Sequence, residues 1–306
     1  MALILVFAAA ILCALNNLFM RRSIDAGGTT KAFLVVVELF SILVAILLGP
    51  IKTGYYGWDH SIALIGVIAG VFLGIMMWAL GKAMEKGSPG LTVAFLNSSA
   101  VVPAIVMTLV FGAAFGHTYQ WWNAMGSVFV VLGLFWASWQ TTKSYKNPLS
   151  WLTFAVTAFV CHVCFLLIIQ WRAMLLNPSL PKSLLIPFTL NPTKTEWFMP
   201  MIFISATLFL LYQFLKEEMR IPKKAEIAYG FYGGVCNGAC TYFLIRAAQI
   251  ATPIENAVIF PLFAVSLIMM CNTWGRALYK EQVHWKAMTI CLAGVVVGTM
   301  DWGVLF

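Results

Sequence analysis

The sequence predicts an all-α membrane protein of ten transmembrane helices, built as two inverted five-helix repeats over residues 1–146 and 147–306. Three observations predict it. The 306 residues are 61% hydrophobic and 10% charged, with a mean hydropathy of +0.89, which is too apolar for a water-soluble chain of this length. The middle and the end repeat each other at a fixed offset of 164: Gly66, Gly70 and Gly74 fall on Gly230, Gly234 and Gly238, Lys82 on Arg246, and Ser88-Pro89 on Thr252-Pro253. The basic residues, finally, gather in alternate loops.

Ten apolar stretches come near or above the roughly 20 residues that cross a hydrocarbon layer as helix. They cover 2–20, 32–50, 62–81, 88–112, 119–140, 149–171, 197–215, 227–245, 254–275 and 283–304. The first is followed, not preceded, by its charges Arg21 and Arg22, so it reads as a retained helix and not as a secretory signal. The second holds Glu38 near its middle. The third and the eighth carry the glycine ladders, with Trp78 on one and Tyr242 on the other. The fourth has Asn97, Ser98 and Ser99 before Pro103. The fifth opens on Trp121-Trp122, and the sixth contains His162. A linker-like loop, 172–196, joins the sixth to the seventh and carries Pro178, Pro181, Pro187 and Pro192. The ninth begins at Glu255-Asn256 and contains Pro261. The fifth and tenth are related by Trp122-Asn123-Ala124-Met125 and Trp285-Lys286-Ala287-Met288, now at an offset of 163.

Charge placement gives an orientation. Of the 19 basic residues, 14 lie in the loops after the odd-numbered spans: Arg21, Arg22, Lys31, Lys82, Lys86, Lys143, Lys146, Lys216, Arg220, Lys223, Lys224, Arg276, Lys280 and Lys286. The alternate loops hold Lys52, Arg172, Lys182, Lys194 and Arg246. The positive-inside rule then puts the richer set in the cytoplasm and both termini outside it. With an odd number of spans per repeat, the second half enters the membrane upside down. The net charge of +8 belongs to loops facing lipid headgroups and gives no reason to invoke nucleic acid.

The run Pro253-Ile254-Glu255-Asn256-Ala257-Val258-Ile259-Phe260-Pro261-Leu262-Phe263, continuing through Gly275, Lys280-Glu281 and Ala293-Gly294-Val295, resembles the second half of an EamA-like protein of the drug/metabolite transporter superfamily. Pro103 and Leu132-Gly133 fit the first half; the turn Gly116-His117-Thr118-Tyr119 lacks the acidic residue usual there. The resemblance implies a ten-helix inverted-repeat carrier with a central cavity, and leaves the cargo open. Pro103 and Pro261 match by context, yet their offset is 158 and not 164, so their equivalence is open.

The candidate functional residues follow from the cost of polar groups in lipid. Glu38 is the acidic residue nearest the middle of a span, where a carboxylate needs a cavity, a cation or a proton. It is a candidate for proton coupling or substrate contact; the alternative is internal hydrogen bonding that fixes packing. His162 is a switchable or a merely hydrogen-bonding core residue. Asn16 and Asn17 could line the same cavity or only join helices. Lys82 and Arg246, related by the repeat, could hold an anionic or zwitterionic metabolite, or snorkel to headgroups. Asn97, Ser98, Glu255 and Asn256 flank proline-interrupted segments of the kind that form transporter sites. Trp78 and Tyr242 could pack on an organic substrate or within the interior.

All seven cysteines, including Cys161-x2-Cys164 and Cys236-x3-Cys240, fall inside spans as small apolar residues, so no metal and no cofactor is expected. No Gly-x4-Gly-Lys-Ser/Thr loop is present, which points to gradients or exchange instead of ATP. The expected function is secondary transport of a small-molecule substrate, with protons as a coupling ion, in the lipid bilayer of the plasma (inner) membrane. The alternatives are an intramembrane enzyme using Glu38 with His162, or a non-transporting assembly protein.

Overall fold

The computed structural model describes residues 1–86, 89–139, 148–280 and 285–299. The predicted repeat boundary at 146/147 lies outside the described residues, as do Ser88, Lys143, Lys146 and Glu281. The chain is an all-α, multi-pass membrane protein. Its helices are α1 (Ala2–Asp25), α2 (Thr30–Ile46), α3 (His60–Lys86), α4 (Pro89–Ser98), α5 (Val102–Val110), α6 (Trp121–Trp139), α7 (Pro148–Leu175), α8 (Phe198–Glu218), α9 (Lys224–Ile250), α10 (Pro253–Tyr279) and α11 (Trp285–Thr299). Among the described residues, seven segments are long and apolar enough to cross a membrane, and α6 and α11 contribute shorter apolar helices.

Most helices outrun the apolar stretches that predict them. α1 continues through Arg21 and Arg22 to Asp25, and α3 through Lys82 to Lys86. Hydropathy detects the hydrocarbon-facing part, whereas backbone hydrogen bonding carries the helix on into the polar layer. α2 ends in a π-helical turn, Leu47–Ile51, that contains Pro50. The fourth apolar stretch is broken: α4 and α5 are joined by a 3-10 turn, Ser99–Val101, with Pro103 in the first turn of α5. Pro261, by contrast, lies inside the uninterrupted α10. The two prolines therefore serve different local structures.

The packing centres on α3 and α9. α3 lies along α7 and α8, while α9 lies along α1 and α2. α2 packs on α8, α1 on α10, and α7 on α4, the 3-10 turn and α5; α6 and α11 lie side by side. Gly66, Gly70 and Gly234 face a carbonyl of the neighbouring helix, and Gly74, Gly230 and Gly238 its side chains. A Cβ at Gly70 would collide with the Ile202 carbonyl and Ser205 Oγ, and one at Gly66 would lie 2.6 Å from the Phe198 carbonyl, both on α8. A Cβ at Gly234 would lie 2.6 Å from the Val37 carbonyl, and at Gly230 and Gly238 it would meet Val36 and Val44, all on α2.

Close approach brings in polar contacts as well. Ser41 Oγ bonds the Val37 carbonyl (2.9 Å) and reaches across to the Gly234 carbonyl (3.1 Å). Ser205 Oγ does the same with Met201 on its own helix (2.9 Å) and Val67 on α3 (3.1 Å). Such bonds between membrane helices are worth only about 0.6 kcal/mol each. The dispersion gained along each contact, at roughly 0.1–0.2 kcal/mol per atom pair over many pairs, outweighs them. The serines set register, and the glycines supply the adhesion.

In the connection between α5 and α6, His117 is buried with Nε2 3.2 Å from Met174 Sδ, and burial pushes its pKa down to about 4.

Two outcomes follow from this packing. Gly70→Leu drives a side chain into the α8 backbone, an overpacking of the kind that costs at least about 1–3 kcal/mol, whereas Gly81→Ala enters open space. Thermal unfolding in detergent should show a markedly lower midpoint for the first and no loss for the second. Because folded His117 binds its proton below the unfolded value of 6.5, its burial costs nothing above that pH and penalises the fold increasingly as pH falls from 6.5 towards 4. His117→Gln should flatten the decline of the melting midpoint across that window; an unchanged slope would show that His117 does not titrate with unfolding.

Candidate functional site

One cluster of buried polar groups lies where α1, α2 and α9 meet. Glu38 is fully buried in α2. Its Oε1 accepts a hydrogen bond from Asn237 Nδ2 on α9 (3.1 Å), which also donates to Ser41 Oγ (3.1 Å). Its Oε2 has no partner. One turn back along α9, Gly233 leaves room for Asn16 of α1, whose Oδ1 is likewise buried and without a donor. The junction thus combines Glu38, Asn16, Ser41 and Asn237 with two unmet acceptors. A fully ionised carboxylate is poorly served here, since one amide donor does little against the cost of removing a charge from water. The same place in the other ladder is apolar: at the repeat offset of 164, Glu38 and Asn237 correspond to Ile202 and Leu73, both buried.

His162 belongs to a different interface. Its Nδ1 lies 2.6 Å from Ser99 Oγ, tying α7 to the 3-10 turn between α4 and α5. Ser99 Oγ also donates to the Leu96 carbonyl, Ser98 Oγ to that of Phe95, and Asn97 Nδ2 to that of Val93. These side chains satisfy carbonyls around the helix break. Asn17 Nδ2 reaches Cys271 Sγ of α10 (3.7 Å). Trp78 packs edge-on against Phe154 and Phe209, with its indole nitrogen unpartnered, in a cleft among α2, α3 and α8 that also holds Lys31 and Lys82.

Lys82 and Arg246 do not form one site. Lys82 lies where α3 and α8 end and α2 begins, and Arg246 lies at the far end of α9, towards the π-helical end of α2. The reason is topological. α3 runs parallel to α8, since Gly66 meets Phe198 and Gly70 meets Ile202, and α9 runs parallel to α2, since Gly230 meets Val36 and Gly238 meets Val44. The chain reverses between Glu218 and Lys224, which sets the start of α9 beside Thr29 and so carries its end to the opposite side.

At the Lys82 end, Glu217 of α8 takes ion pairs from both Lys31 (2.5 Å) and Lys82 (2.8 Å), and Lys82 also approaches Glu85 (3.7 Å). Beside them Arg220 pairs with Glu226 (2.6 Å) and Glu218 (2.8 Å), and Glu226 accepts from the Thr29 amide (2.7 Å). Hydrogen bonding to Glu226 holds the Arg220 guanidinium even more firmly protonated than usual. This end is latched.

At the other end Arg246 bonds Gln249 (2.9 Å), and Lys52 Nζ donates to the hydroxyl of Tyr242 (3.2 Å). Glu255 acts as a helix cap: it accepts from the Thr252 amide (2.8 Å), and Thr252 Oγ1 accepts from the Glu255 amide (3.3 Å). Asn256 is committed to packing, donating to the Gly116 carbonyl (3.2 Å) while its own carbonyl accepts from Gln170 (3.2 Å). The spacing Thr-x-x-Glu before an apolar run already signals such a cap. Three further residues were missed in sequence: Asn237, Ser41 and Ser205. For the two serines a signal existed, since they too stand at the offset of 164.

All seven cysteines are free, and no group of metal-binding side chains is found among the described residues. No protein-family model matches the chain, and no curated protein matches it. The chain is similar in fold to a solved structure described as "Crystal structure of protein", at 15% identity and a TM-score of 0.65, covering 97% of this chain and 95% of that one. At that identity the likeness concerns the fold alone.

Asn237→Leu removes the donor from Glu38 and should cost about 1–3 kcal/mol, the penalty of an unsatisfied buried polar group. Combining it with Glu38→Leu, in imitation of the apolar pair Ile202 and Leu73, should recover most of that loss. A double-mutant cycle on unfolding midpoints checks this, and simple additivity of the two changes would show that the pair is not coupled.

Proposed function

We propose that this chain is a secondary active transporter of a small organic metabolite or drug, EamA-like and of the drug/metabolite transporter superfamily, that works by alternating access in the plasma (inner) membrane. The observation that carries this reading is the exchange symmetry of the packing. Counting α4 and α5 as one broken rod, five rods precede α7 and five begin with it. Exchanging first-half rods for second-half rods maps α3 on α8 to α9 on α2, α3 on α7 to α9 on α1, and α10 on α1 to the broken rod on α7. α2 on α8 and α6 on α11 map to themselves. That pattern, with ladders and serines sharing the offset of 164, supports two related five-helix units inserted in opposite senses.

Glu38 is the coupling residue in this reading. Its counterpart Ile202 supports an equivalent helix contact without any charge, so packing alone does not require a carboxylate at position 38. In the closed junction Glu38 carries a proton on the oxygen that has no partner. Opening the junction to water lets it release that proton, and the two states alternate with the two access states. The cargo is a small-molecule substrate, and the coupling ion is the proton. An intramembrane enzyme built on Glu38 and His162 is disfavoured because the two are held by different partners, Asn237 and Ser99.

The test begins by screening purified protein against metabolites for a raised melting point, and continues with uptake of the best compound by proteoliposomes. Glu38→Gln should abolish uptake driven by a pH gradient while leaving the unfolding midpoint near that of the wild type. Unchanged uptake with unchanged pH dependence would remove Glu38 from the mechanism.

A further inference from the structure

The two ends of the bundle are unequal in charge. At the Lys82 end Glu217 sits between two cations and draws α2, α3 and α8 together. At the repeat offset of 164, the counterpart of Glu217 is Thr53, and its neighbour is Lys52. Lys52 itself corresponds to Lys216, so the second end keeps the cation at this place but not the carboxylate beside it.

The groups gathered at that end are Lys52 just past the π-helical end of α2, Arg172 near the end of α7, Arg246 near the end of α9, and Glu196 just before α8. Arg172 and Glu196 each lie within electrostatic reach of Arg246, and Glu196 of Lys52 also. Arg172 is 5% exposed; its Nη2 donates to the Thr195 carbonyl (3.3 Å), its guanidinium lies 4.5 Å from the Phe198 ring centre, and its Nε has no partner. Glu196 rests against Gly49, where an added Cβ would lie 3.1 Å from its carbonyl and 3.4 Å from Oε2, and it forms no ion pair within 4.0 Å among the described residues. The neighbouring carboxylates are engaged elsewhere: Asp59 caps α3 through the Ser61 amide (2.8 Å), and Glu255 caps α10 and approaches the amino terminus (4.0 Å). Among the described residues, Lys52, Arg172 and Arg246 thus share the carboxylate of Glu196, and the buried guanidinium keeps an unused donor.

We propose that this end is an oxyanion-binding vestibule in which Arg172, Arg246 and Lys52 receive the carboxylate or phosphate of the transported molecule. The bound anion occupies at this end the role that Glu217 plays at the other, so the cargo's own charge draws the end closed. The planar guanidinium forks suit a two-oxygen anion, and a buried cation gains most from such a partner. Glu196 competes with the anion and keeps the unloaded site from collapsing onto a stray counter-ion. This deepens the transport reading, on which it rests, by naming the cargo as an organic anion or a zwitterion that presents its acidic group here.

Inorganic phosphate serves as the probe, titrated at constant ionic strength into lipid-free protein in a neutral detergent while the melting midpoint is followed. The wild type should show a saturable rise. Arg246→Gln and Lys52→Gln, both at accessible positions, should weaken the apparent affinity about tenfold each, as expected for loss of one charge-assisted contact, and Glu196→Gln should strengthen it. A general salting effect would raise all four proteins alike, and that result would overturn the proposal. A response to micelles containing phosphatidylglycerol but not to free phosphate would also overturn it, by making the cluster a headgroup anchor. Because binding is read without transport, a negative result here leaves the Glu38 uptake experiment standing, and a failure of that experiment leaves this one interpretable.

Discussion

Backbone-to-backbone approach at the two glycine ladders is the constraint on which the rest of the molecule depends. In lipid there is no hydrophobic gain from joining two apolar helices, so adhesion must come from contacts closer than lipid tails can offer. Gly66, Gly70 and Gly74 bring α3 onto α8, and Gly230, Gly234 and Gly238 bring α9 onto α2. Once these pairs are set, α1 and α7 have defined surfaces to occupy beside α9 and α3, and the remaining helices pack outside them. The close contact also brings Ser41 and Ser205 within reach of the opposing backbone, so one geometric fact yields both adhesion and register.

The same close packing makes the polar junction of α1, α2 and α9 informative. A dry interface penalises every unpaired acceptor, yet this one retains two, on Glu38 and Asn16. The comparison with Ile202 and Leu73 separates what packing needs from what is added to it. The charged groups at the ends show a similar division. Arg220, Glu218, Glu226, Lys31, Lys82 and Glu217 form a network that ties together helices distant in sequence. Individually exposed ion pairs contribute little; joined in a network that spans four helix ends, they hold one end together. Among the described residues, the Arg246 end shows no such ion-pair network.

Much of this was legible in the sequence, and the limits are physical. Hydropathy located the helices because the hydrocarbon layer imposes a length on each apolar run, but it ended α1 and α3 early because a helix continues into the polar layer on hydrogen bonds that hydropathy does not register. The offset of 164 located both ladders because small residues are irreplaceable at close contacts. Ser41 and Ser205 share that offset too, although a lone serine in an apolar run carries little signal of its own. Glu38 was visible as a charge in the wrong place, while its distant partner Asn237 was not. Lys82 and Arg246, matched by the offset, lie at opposite ends, in keeping with their places in opposite sets of loops, because matching positions along a chain need not be neighbours in space.

The sequence by itself determined the solvent this chain lives in, the places of its apolar helices, and the small-residue faces on which they join, since each is a property of composition or of local spacing. The tertiary structure alone decided which helix each ladder meets, that Glu38 keeps an unpartnered oxygen, that Glu217 neutralises the lysines of one end, and that Arg172 joins Arg246 and Lys52 at the other. Those are relations between residues far apart along the chain, and only the folded packing sets the distances through which charge and hydrogen bonding act.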